Sequence, residues 1–478
     1  VPQTVPAGIT LFNITIGGAP YKFTKNEAFT YVSGKMMKFN IRVDKAEGNG
    51  KYRLTLVSES IAPWENDLQS HDATAMEYVI INSTAGHLKD SIVASHKDIA
   101  MVKRMKVTGT INVYDFIIMR DSMPKLTALN LKDVRIKRVY NYTVGGVEYW
   151  TDYAEDDVLP FNSFTGKRTL TSFVFPDVLN RIDVGAFAGA GLKGSLNIPE
   201  GVVEIGPGAF IDNDFTGILT LPSTLKKIGS GAFRECCFIC PLNLPDGIEE
   251  IGSVCFENCR YLYGNLTLPS HLKKLGSAAF AKCSGLKGDL VIPKSLTVIP
   301  SDAFNACGLG GRLQLHDGIT TIGNGAFGHN GFKGELDLPK SLTELGGNNF
   351  WGNYFSGSLK IPKGLTNISE EAFSNCTFEG EVEIPEGITY IHKRAFIASE
   401  NLQKVILPSS LEFIDEYAFW YCKSLRVIEC KSTVPPVVNS TAFDKVPLED
   451  LTVIVPKSAL NDYKSSDFWS GLLLKTVE

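Results

Sequence analysis

The chain has 478 residues, 44% hydrophobic and 21% charged, with a net charge of −5 at pH 7. A balance this close to neutral argues against a dedicated nucleic-acid binder, which would carry a basic patch. No apolar run approaches the ~18 residues of a membrane-spanning helix. The length suits about two to four domains or one long repeat array. The sequence opens at Val1 rather than Met, so any signal segment or lipid-anchor cysteine would lie upstream.

Residues 1–81 alternate apolar and polar side chains in "GITLFNITIGGAPYKFT" and "KMMKFNIRVDK", with glycine-rich turns between the runs. That period of two predicts a small antiparallel β segment. The order of "FTYVSGKMMKFNIRV" and the later "IAPW" resembles the closing part of fimbrillin-like domains.

Residues 82–160 are expected to form irregular first rungs and an N-terminal cap. Degenerate strands are predicted at Met105–Gly109 and Leu126–Leu131, around a helix near residues 112–122. A loop excursion then carries a dense set of aromatics: Tyr140, Tyr142, Tyr149, Trp150 and Tyr153. These rings could stack on a sugar or grip a partner. They could equally cover the first rung.

From residue 161 to 446 a period governs the chain. Phenylalanines recur at Phe164, Phe187, Phe210, Phe233, Phe256 and Phe280, and on to Phe443, in steps of 23 or 24 residues. Nine or ten residues after each Phe comes an apolar-x-apolar triplet, usually followed by Pro, as in "LNIP" and "LTLP". The triplet reads as a short strand with one buried face, and the proline ends it because it has no N–H to donate. Further on comes Ile or Leu, often followed by Gly, as in "IGSGAF". A single unit cannot bury its own apolar columns, whereas stacked units bury a continuous core.

The pattern "LxLPxxLxxIGxxAFxxC" resembles the BspA-like leucine-rich repeats of bacterial surface proteins of the Bacteroides type. The resemblance covers about residues 82–478. It implies a repeat solenoid with a parallel sheet on its concave face, preceded by the small antiparallel segment. One departure is a glycine just before most strands, as in "GLKGSL" and "GFKGEL", which predicts a turn with positive φ. The final residues, 447–478, contain a strand, a proline break, a short helix carrying Tyr463, and a last apolar strand. They are similar to the C-terminal cap of the same family, with Trp469 as a plug.

All ten cysteines follow residue 235. Cys237, Cys240, Cys255 and Cys259 have spacing that looks like a structural zinc site. The repeat register gives a plainer account. Cys236, Cys259, Cys283, Cys307, Cys376 and Cys422 each stand three residues after a repeat Phe. Other rungs place Ala190, Asn213, Asn330, Asn353 or Ser399 there. This is a small-residue column inside the turn, where a thiol or amide can face backbone groups of the next rung. Stacked free thiols are expected, although neighbouring rungs are close enough for a disulfide. Cys237 stands in a variable column, and with Cys240 it forms the candidate reactive pair.

The sequence lacks G-x-x-x-x-G-K-[ST], H-E-x-x-H and G-x-S-x-G, and its seven histidines show no ligand spacing. No catalytic constellation, metal or cofactor is therefore expected. Binding is sought on the outward strand column, with Asn243, Thr267, Gln314, Asp337, Lys360 and Glu383 as candidate contacts. Its later rungs mix acids and bases, which suits a polar partner; a plain solvated sheet is the simpler reading. The resemblance implies a non-enzymatic, monomeric, adhesin-like protein at the cell surface (outer membrane, exported) or secreted. Its partner would be a protein or glycan of host matrix or other cells, with no nucleic acid. The alternative is a structural part of a fimbrial or envelope assembly, joined through the N-terminal segment by strand addition.

Overall fold

A computed structural model of the chain describes residues 78–139 and 156–476 in full, and strands within 3–63 and 141–150 as backbone elements. The chain divides into two compact units, Val1–Ala75 and Met76–Glu478. In the first, Thr10–Ile16 pairs antiparallel with Ala19–Thr24, and Lys35–Lys45 with Tyr52–Pro63.

The second unit opens with Val79–Ser83, which crosses the expected boundary at residue 81. It pairs in parallel with Arg104–Ile111, which pairs with Ala128–Ile136 and through it with Ser172–Val174. Between the middle strands lies the helix Val113–Ile117, which runs into a π-helical turn at Ile118–Ser122. Its start is fixed by a buried carboxylate. Asp115 accepts backbone N–H bonds from Gly86, Leu88 and Asn112, so the charge is satisfied where water is excluded. Lys167 ties this cap to the first regular rung by donating to the carbonyls of Arg120 and Met123.

A regular rung carries up to two short strands. One is the expected apolar triplet, as in Lys193–Asn197 and Asp214–Thr220, where Leu196 faces Leu219 in parallel register. The other is a two-residue strand at the Ile or Leu that follows the proline. Ile182, Ile205, Ile228, Ile251 and Leu275 stack in register along this second ladder.

The Ala-Phe turn follows the second strand. Its backbone is left-handed at the residues two before and two after the Phe: around Phe280, Ala278 has φ 54° and Lys282 has φ 62°. These reversals aim the Phe inward and its N–H at the following rung, as in Phe280 N to Ala303 O at 2.9 Å. The glycine before the apolar triplet also adopts positive φ, 90° at Gly288 and 84° at Gly334.

The phenylalanines form one stack. From Phe164 to Phe443 successive rings lie 5.1 to 6.3 Å apart, close to parallel. Full burial of one such ring is worth about 1.5–3 kcal/mol. Phe116 of the N-terminal cap closes one end, edge-on to Phe164 at 5.7 Å. Phe468 closes the other, stacked on Phe443 at 5.2 Å, with Trp469 edge-on beside it. The C-terminal cap follows the expected order of strand Thr452–Val455, helix Leu460–Lys464 and strand Leu473–Thr476. Its buried polar tips are paired: Tyr463 hydroxyl donates to Ser432 O and Trp469 Nε1 to Pro436 O. Among the described residues no helix is long and apolar enough to cross a membrane.

Candidate functional site

The apolar members of each strand triplet point into the core, so the residue between them must point out. Leu242, Leu266, Leu313, Leu336, Leu359 and Val382 are buried. The six candidates beside them, Asn243, Thr267, Gln314, Asp337, Lys360 and Glu383, are all exposed. Gln314 and Glu383 lie in strands, Gly310–Gln314 and Gly380–Glu383, and Lys360 joins Glu383 through an isolated parallel bridge. Asn243, Thr267 and Asp337 lie outside the strands.

The acids and bases of the later rungs are partly spent on one another. Lys404 reaches Glu381 at 3.1 Å and Glu429 at 2.9 Å. Lys431 reaches Glu383 at 2.6 Å, and that hydrogen bond raises the lysine's pKa. Asp337 and Lys360 have no ion pair among the described residues.

A second charged column was not foreseen in the sequence. It lies on the two-residue ladder, just before the buried Ile or Leu. Arg181 meets Glu204 at 3.3 Å, and Lys227 bridges Glu204 (3.4 Å) and Glu250 (3.9 Å). Lys274 meets Glu250 at 2.8 Å. Its hydrogen bond holds the Glu250 carboxyl below the usual range, as Lys273 does for Glu249. The signal was present as "EI", "KI", "EI" and "KL" at successive rungs.

The cysteines are free. In the turn column each thiol faces the preceding rung rather than the next. Cys259, Cys283 and Cys307 donate to the carbonyls of Phe233, Phe256 and Phe280, each at 3.0 Å. The amide of Asn330 does the same for Phe304 at 2.7 Å. Burial pushes these thiols up, Cys422 to about 12. Cys240 is buried as well, its sulfur accepting from Leu219 N, so of the candidate pair only Cys237 is partly accessible. Among the described residues no group of three His, Cys, Asp or Glu could hold a metal.

The aromatic excursion forms a backbone hairpin, Asn141–Val144 with Val147–Trp150, in which Tyr142 faces Tyr149. The side chains of Tyr142, Tyr149 and Trp150, and the whole of Tyr153, lie outside the described residues.

A family model described as the BspA type leucine rich repeat region matches in overlapping segments from residue 158 to 468, more than half of the chain. No curated protein matches it. Among solved structures, a leucine-rich repeat protein from Bacteroides ovatus is 19% identical, covering 92% of this chain and 98% of its own, with a TM-score of 0.49. One from Eubacterium ventriosum is 17% identical, covering 71% and 88%, with a TM-score of 0.37. A leucine rich cell surface protein from Faecalibacterium prausnitzii is 18% identical, covering 63% and 87%, with a TM-score of 0.27.

Proposed function

This chain belongs to the BspA type leucine-rich repeat family, and from that premise we propose that it is a non-enzymatic binding protein. It acts at the cell surface or after secretion, and it presents its outward strand column to a protein or glycan partner. Family members are typically surface proteins. The observation that carries the reading is the exposed column itself. Asn243, Thr267, Gln314, Asp337 and Lys360 serve neither the core nor an ion pair, yet the buried leucines beside them hold them at rung spacing. Rigid, repeated display of this kind lowers the ordering cost of binding. The charged groups left over at Asp337 and Lys360 suit a polar partner surface better than an apolar ligand.

The test is binding of the purified chain to immobilised matrix proteins and glycans, repeated with Asp337, Lys360 and Glu383 changed together to Ala. A partner lost with the triple change supports the reading. A partner that is retained, or no partner at all, refutes this face as the site.

A further inference from the structure

Exposed aromatic rings stand on two successive turns of the array. His329 and Trp351 meet at 4.1 Å between ring centroids, at 64°. Trp351 is 37% exposed and Tyr354 62% exposed. Neither outward ring is required by the fold. The position of Trp351 is taken by Asn305, Gly328 or Ser374 in neighbouring rungs, and that of Tyr354 by Gly308, Gly331 or Thr377.

Backbone geometry nevertheless holds both in place. His329 is left-handed at φ 55°, and its N–H donates to Trp351 O at 2.8 Å. Tyr354 N donates to Phe332 O at 2.7 Å. The Tyr354 ring leans across bare Gly331, where an added Cβ would stand 3.7 Å from Cε2. Aromatic faces held exposed beside side-chain-free backbone offer flat apolar surface on which another ring can stack.

Cations border the same edge. Lys333 is the in-register neighbour of Tyr354; it is exposed and has no ion pair among the described residues. Arg312, one rung earlier, lies along Gly334, whose added Cβ would stand 3.9 Å from its Nε. The nearby carboxylate, Glu335, leans the other way, over Gly357 of the following rung.

We propose that this turn edge binds an acidic pyranose sugar, stacked by its C–H face on Tyr354 and Trp351 with its acid group against Lys333. An aliphatic partner would need no cation, and a free anion would need no rings; a ring sugar bearing a carboxylate uses both. Tyr354, Trp351 and Lys333 are not members of the outward strand column, so either site can fail without the other.

The experiment is calorimetric titration of the whole chain with a hyaluronan hexasaccharide, with sialyllactose, and with neutral cellohexaose. At least one acidic sugar is expected to bind, with the uronate and sialate arms showing which acid is preferred. Tyr354→Ala and Trp351→Ala should each weaken it about tenfold. Lys333→Gln should flatten its salt dependence. The small residues at equivalent positions let both ring variants fold, and Lys333 is exposed, so all three variants should melt like the parent chain. The triple change at Asp337, Lys360 and Glu383 should leave the sugar bound. Failure of both acidic sugars, equal binding of cellohexaose, binding that survives both ring variants, or loss with the triple change would each overturn the proposal.

Discussion

Asn330 gives the sharpest test of how the rungs are locked together. Its side chain is 4% exposed and makes bonds in both directions. Nδ2 donates to Phe304 O at 2.7 Å and to Phe327 O at 2.9 Å, and Oδ1 accepts from Cys307 N at 3.1 Å. Truncation to Ala would orphan two buried backbone groups, Phe304 O and Cys307 N. Phe327 O keeps a bond, because Asn353 Nδ2 also reaches it at 3.0 Å. Each orphaned group costs about 1–3 kcal/mol, so Asn330→Ala should cost about 2–6 kcal/mol. Asn330→Cys should cost far less, about 1 kcal/mol. In other rungs a thiol at this position leaves neither group alone: Cys283 donates to Phe256 O at 3.0 Å, and Cys259 N donates to the same carbonyl at 3.1 Å. The assay is urea unfolding followed by circular dichroism, joined to amide exchange at Cys307, because a repeat array can open rung by rung. If Asn330→Cys proved as damaging as Asn330→Ala, the bonding argument would be wrong and side-chain volume would be the cause.

Two further outcomes are expected. Ala278 carries a Cβ at φ 54°, where Gly208, Gly231 and Gly325 occupy the same turn position in other rungs. Ala278→Gly should therefore stabilise the chain by up to about 1 kcal/mol in the same urea titration, and a loss of stability would contradict the strain argument. Alkylation of the native chain should add one adduct, at Cys237, since the other nine cysteines are buried. Mass spectrometry after unfolding should then count ten, and a second adduct on the folded chain would show that the thiol column breathes.

The period, the inward Phe and the capping segments were all legible, because each rests on large apolar residues repeated at fixed spacing. The small column three residues after Phe was legible as a column but not in its direction. Which neighbouring carbonyl a thiol or amide meets depends on the left-handed turns either side of the Phe, and residues as unlike as Lys282 and His329 occupy them. The outward strand column could be placed by alternation alone. Its internal pairing could not, since Lys431 and Glu383 are 48 residues apart and meet only when one rung is stacked between them. Nothing in the sequence singled out Trp351 and Tyr354 either; they stand out only against the small residues of the rungs on each side.

The charged column on the second ladder is illegible in the sequence for a different reason. A two-residue strand has no alternation to detect, so within one rung Glu250 is simply a surface acid. Across rungs the signs run Arg181, Glu204, Lys227, Glu250, Lys274. Each exposed pair is worth only about 0–1 kcal/mol, too little to matter as a source of stability. Alternation has a second effect. If the array skipped a rung, Lys227 would meet Lys274 and Glu204 would meet Glu250, and every attraction in the column would become a repulsion. Nearly identical rungs, with the same Phe and the same Ile, offer little else to distinguish the right neighbour from the next one along. The alternation would thus add a penalty on the wrong stacking order of the same small size per pair as the attraction it replaces.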